Sequence, residues 1–78
     1  MTYLATFYTH AAALFTQRTL VKNGFSARLM PVPRELSSSC GTCVRYEAPD
    51  PCYSLLDRDT EQVTEWTSSG FVVLKSFE

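Results

Sequence analysis

Three serines, a cysteine and a glycine stand together at Ser37-Ser38-Ser39-Cys40-Gly41, shortly after Pro31-Val32-Pro33-Arg34. A cysteine in such company can act as a nucleophile if its surroundings favour thiolate over thiol. The serines supply hydroxyls and successive backbone N–H groups, a combination able to cradle an anion. Arg34 adds a planar cation suited to an oxyanion or carboxylate. Gly41, lacking a side chain, leaves room for a partner beside the sulfur. Pro31 and Pro33 stiffen the approach and lower the entropy lost in holding one loop shape. The same residues also describe a solvated serine-rich turn with an inert thiol, and composition alone leaves both readings open.

Cys40-Gly41-Thr42-Cys43 is a CxxC, a spacing used by redox dithiols and by zinc sites. A dithiol of the thioredoxin kind would want the motif at a helix N-terminus, whereas here Cys43 should begin a strand. Zinc would need four ligands, and the candidates are Cys40, Cys43, Cys52 and His10. Cys52 falls at the other end of the fold expected below, so no metal site closes and no cofactor is implied. Cys52 reads as a small apolar core residue. Cys43 reads either as a buried strand residue or as a resolving thiol for Cys40. His10, the sole histidine, is a candidate proton carrier or merely a helix-start residue. Neither a glycine-rich phosphate loop nor a Ser-His-Asp signature is present.

The elements that must position these residues follow from the pattern. Tyr3–Tyr8 is apolar on both alternating faces and suits a central strand. Thr9 then reads as the N-cap of a helix over His10–Asn23. Gly24 closes that helix in the left-handed conformation, with Phe25 folding back on Leu20. Phe25–Met30 alternates and makes a second strand, stopped by Pro31 and Pro33. Val44–Glu47 makes a third.

Asp50-Pro51 reads as an N-cap and first helical position. Cys52, Leu55, Leu56, Val63 and Trp66 then share a helical stripe, interrupted at Asp59. In that second helix Trp66 anchors the core, while Asp57, Asp59, Glu61 and Glu65 face solvent. Ser69-Gly70 ends it, and Phe71–Phe77 is the last strand.

The order is βαββαβ. It predicts an α+β, ferredoxin-like domain: a four-stranded antiparallel sheet with two helices on one face. Right-handed crossover places strands one and two parallel, with strand three between them. Strands two and three should need a turn of about two to five residues. The chain instead spends Pro31–Thr42 there, and loops of about twelve residues are usually functional. This topology gathers Thr9, His10, the helix start, Arg34 and Cys40 at one end of the molecule. A helix N-terminus, a histidine and an arginine all favour a thiolate there.

The 78 residues make one domain, residues 1–78, whose 45% apolar content supports a thin but real core. Seven Lys and Arg against eight Asp and Glu leave a net charge of −1, which argues against nucleic acid and against a polybasic membrane surface. His10, Gln17 and Arg18 interrupt the most apolar stretch, so no membrane span is expected. No basic segment precedes an apolar one in the first ten residues, so a cytoplasmic protein is expected.

Taken together, FYTHAAAL and GFSARLMPVPRELSSSCG resemble a small bacterial family of selenium/sulfur carrier-like proteins, a domain otherwise without assigned function. That family's pattern is an aromatic strand ending in Thr-His, a helix and a Gly-terminated turn. A Pro-x-Pro-Arg segment then leads to a Ser-rich Cys-Gly. Thr9-His10, Gly24, Pro31–Arg34 and Ser38–Gly41 supply each part, and the resemblance spans nearly the whole chain. It implies that Cys40 is the carrier nucleophile, passing sulfur or selenium as a persulfide or selenopersulfide. Cys43 falls where the family has small or aliphatic residues, so no role is carried to it.

Combined with the loop chemistry, this gives a carrier rather than a turnover enzyme. Cys40 is the nucleophile, His10 assists proton transfer, and Arg34 with the Ser37–Gly41 backbone steadies the anionic sulfur. Pro33, Ser37, Ser38, Ser39, Gly41 and Thr9 line the binding surface. The partners are donor and acceptor proteins, with a homodimer through exposed edge strands left open. The alternatives are a non-catalytic domain docking through Pro31–Gly41, and a Cys40/Cys43 dithiol.

Overall fold

The computed structural model describes residues 1–77. Strand β1 (Thr2–Phe7) leads through helix α1 (His10–Lys22) to β2 (Ser26–Pro31) and β3 (Thr42–Glu47). A short 3-10 turn, Tyr53–Leu55, precedes the hairpin of β4 (Thr60–Thr67) and β5 (Gly70–Ser76). One five-stranded antiparallel sheet results, in the order β2-β3-β1-β4-β5.

β1 is central because its side chains are apolar or small on both faces: Tyr3, Leu4, Ala5, Thr6 and Phe7 are all buried. Tyr3, Ala5 and Phe7 join Val44, Tyr46 and Val63 in the core beneath Ala12, Ala13 and Leu20 of α1. The helix starts where Thr9, in extended backbone, accepts the Ala12 N–H on its hydroxyl at 3.1 Å. It stops at Gly24, whose φ of +91° only glycine adopts freely, and the Phe25 N–H reaches back to the Leu20 carbonyl at 3.0 Å. β3 lies between the parallel strands β1 and β2, the arrangement that a right-handed β1-α1-β2 crossover leaves open.

The second helix of the ferredoxin-like expectation does not exist, and the sheet has five strands in place of four. Its predicted span holds an irregular segment with the 3-10 turn, followed by β4. Thr60, Val63, Thr64 and Thr67 explain the outcome, since β-branched side chains lose rotamer freedom in a helix and pack well on a pleat. Val63 takes the core position opposite Ala5 by strand pairing, which the helical stripe had also explained. Leu55 and Leu56 cover the core where that helix would have lain. The Tyr46 hydroxyl donates to the Pro51 carbonyl at one end of this segment, and the Tyr8 N–H to the Asp59 carbonyl at the other.

Trp66 is therefore no core anchor. It stands 38% exposed on the sheet face away from α1, stacked on Phe71 with ring centroids 5.2 Å apart. The Arg45 guanidinium lies 5.0 Å from its ring centre. Glu61 and Glu65 belong to a strand, not to the outer side of a helix.

Candidate functional site

The long connection between β2 and β3 is a built loop. Its base is closed by the Val32 N–H donating to the Gly41 carbonyl at 3.1 Å, and its first half turns at Pro33–Leu36 through a 3.0 Å bond. The Ser38 hydroxyl donates to the carbonyl of Phe7, at the end of β1, at 3.3 Å. Ser39 then gives both its donors to one carboxylate on β4. Its N–H meets Glu61 Oε1 at 3.2 Å, and its hydroxyl meets Oε2 at 2.9 Å. The anion cradle suggested by the serine run is thus occupied, at Ser39, by the chain itself.

Cys40 follows, half-buried against the edge of the core. Its thiol points to the Thr42 carbonyl at 3.4 Å. The hydroxyl of the same Thr42 shares a 3.3 Å hydrogen bond with Nδ1 of His10 at the first position of α1. His10 and Cys40 therefore lie at one end of the molecule, joined through the two polar groups of a single residue. Gly41 has a φ of +75°, and a Cβ added there would meet nothing within 4 Å. Its glycine is needed for the left-handed backbone more than for space beside the sulfur.

The remaining predicted site residues spread around this centre. Thr9 is engaged as the helix cap. Ser37 and Arg34 are exposed on the loop, Arg34 within the Pro33–Leu36 turn. Pro33 faces elsewhere: with Met30, Leu36, Trp66, Phe71 and Val73 it lines an open groove of about 720 Å³ on the sheet face away from α1. Leu4, Thr6, Cys43 and Thr64 project to that same face and are buried there.

The other two cysteines are held in different surroundings. Cys43 pairs with Thr6 and Met30 in the sheet and is fully buried. Burial, and secondarily the nearby Cys40, push its thiol up to about 11. Cys52 has a left-handed backbone, φ 56°, with its N–H on Asp50 Oδ1 at 2.8 Å. Burial raises its thiol too, followed by the charge of Asp50. It lies after the far end of β3, remote from Cys40, and among the described residues no three His, Cys, Asp or Glu side chains come together to hold a metal ion.

Sequence reasoning missed Thr42 and Glu61. Thr42 sits inside the CxxC and was available as its spacer; Glu61 was hidden by the assignment of β4 to a helix.

No helix among the described residues is long and apolar enough to cross a membrane. Neither the curated proteins nor the solved structures contain a match to the chain. The model of one protein family, described as Putative Se/S carrier protein-like, does match, over residues 2–56, a span holding α1 and the whole cysteine loop. The chain belongs to that family.

Proposed function

We propose that this protein relays sulfur or selenium between other proteins in the cytoplasm, with Cys40 as the carrier atom's attachment point. The observation that carries the reading is the Cys40–Thr42–His10 arrangement at the mouth of a pinned loop, inside the residues that the carrier family matches. Among the described residues, Cys40 lines none of the three best-formed surface depressions, which favours protein donors and acceptors.

The exchange needs no outside oxidant. The Cys40 thiolate attacks the outer sulfur of a donor persulfide. A new S–S bond forms on Cys40 as the donor's S–S bond breaks, and the donor cysteine leaves as a thiolate. Discharge is the same step in reverse, with an acceptor thiolate attacking and Cys40 leaving. A selenium atom follows the same path. His10 takes up and returns the proton, and Arg34 and the loop N–H groups meet the negative charge.

Incubation with a persulfide donor, followed by mass spectrometry, should place one added sulfur on Cys40. Cys40→Ser should abolish both loading and onward transfer, while Cys43→Ser leaves them intact. Transfer that survives Cys40→Ser removes the relay from consideration.

A second reading is favoured by the groove beside Pro33 and Leu36: a domain that docks a partner without chemistry. There Arg34→Ala weakens the partner complex and Cys40→Ser does not. The dithiol reading fares worse, because Cys43 is buried, its thiol is pushed up to about 11, and it faces the side of the sheet away from α1.

A further inference from the structure

We propose that Glu61 is a built-in anion latch on the cysteine loop. Its carboxylate fills the donor pair of Ser39, and a small external anion enters beside Cys40 by displacing it. The inference rests on the relay reading in one respect: it takes the anionic sulfur or selenium species of the relay as the natural competitor.

Two donors of one residue converge on one carboxylate, a separate oxygen for each, at 3.2 and 2.9 Å. That is how a polar loop binds an oxyanion, and charge-assisted bonds of this kind are about twice as strong as neutral ones. The carboxylate comes from the start of β4, where a register shift leaves Glu61 out of the pairing with β1 and its carbonyl is held by the Phe77 N–H at 2.9 Å. The loop has a second, independent attachment, since the Ser38 hydroxyl is bonded to Phe7. Release of Ser39 by Glu61 therefore frees donors without freeing the loop.

Cys40 is the next residue, one Cα step of about 3.8 Å along the chain. A fixed negative charge held on the residue before Cys40 opposes any anion approaching the sulfur, and does not oppose a neutral molecule of the same shape. Glu61 is thus a positioning residue with a charge effect that its shape alone would not produce.

The test compares iodoacetate with iodoacetamide on the full chain, scoring adducts at Cys40 by peptide mass spectrometry. The two reagents share one leaving group and differ in charge. Glu61→Gln keeps the side chain's shape and removes its charge. The ratio of the anionic to the neutral rate should rise about threefold at low salt, and the gain should shrink as ionic strength shortens the screening length. An unchanged ratio in a folded Glu61→Gln protein overturns the latch.

Should that variant not fold, the wild-type chain is titrated with inorganic sulfate while the Ser39 amide is followed by NMR. A saturable shift at Ser39 supports displacement of Glu61, and no shift overturns it. Neither readout involves transfer, so the relay can fail in the Cys40→Ser experiment while the latch stands, or the reverse.

Discussion

The two thiols of the CxxC meet different fates because only the second lies in a strand: Cys40 precedes β3 across Gly41, whose backbone is left-handed at φ +75°, while Cys43 is held in the pleat. Cys40 packs at the margin of the core under α1, while Cys43 turns to the face where Thr6 and Met30 flank it. Sequence reasoning put Cys43 in the strand and left open whether it was a buried residue or a resolving thiol for Cys40. Burial keeps the Cys43 thiol protonated, and this has a consequence for stability. Its value rises from 9.0 to about 11 on folding, so between those limits the unfolded chain has lost a proton that the folded one keeps. Stability is therefore insensitive to this group below about pH 9 and falls as pH rises toward about 11, by about 2–3 kcal/mol in all. The buried hydroxyls of Tyr3 and Tyr46, also pushed up by burial, add to the loss at the alkaline end. Urea melts of the wild type should show this slope, and Cys43→Ala, though less stable by about 1–2 kcal/mol from its lost packing, should show less of it. Equal slopes in the two proteins would refute the assignment to Cys43. The same protonation predicts that Cys43 resists alkylation in the native state at neutral pH and reacts once urea unfolds the chain.

At the scale of elements, α1 and the three strands around the loop were legible because each carried its own punctuation. Thr9, Gly24, Pro31 and Pro33 mark ends by local chemistry that tertiary structure had no reason to override. The segment after Asp50 was not legible in the same way. Cys52, Leu55 and Leu56 fit a helical stripe, and Val63 serves the core under either period, so the pattern was ambiguous where packing decides. The β-branched residues of Thr60–Thr67 were the signal that should have prevailed. Trp66 now separates the two architectures. A tryptophan clamped beneath a helix would cost about 3–5 kcal/mol on truncation to alanine. On an open face at 38% exposure, with only Phe71 and Arg45 as aromatic and cationic neighbours, Trp66→Ala should cost about 1–2 kcal/mol. A chemical-denaturation loss of about 3–5 kcal/mol would contradict the exposed position. In the loop, Gly41→Ala should cost about 1 kcal/mol from its φ of +75° alone, since open space surrounds the added methyl.

For the molecule as a whole, the family match and the folding unit do not coincide. Residues 2–56 hold the helix, the loop and Cys40, but β4 lies beyond them and forms one flank of the central strand. It contributes Val63 to the core, buries Thr60 and Thr64, and carries the carboxylate that holds Ser39. A chain ending at residue 56 would leave β1 as an edge, exposing Leu4 and Phe7 and an unpaired row of backbone groups. For a domain this small the apolar surface given up exceeds what its marginal stability can absorb. β5 is different, because Val72, Val73 and Leu74 are 50%, 51% and 39% exposed, so that a truncation before it costs the core chiefly the packing of Phe77. A chain ending after residue 68 should therefore remain folded, with a lowered melting temperature, whereas one ending after residue 56 should show no cooperative transition. Circular dichroism melts of the two decide it. A cooperative transition in the shorter chain would mean that the matched residues fold alone and that β4 serves the site without being needed for the fold.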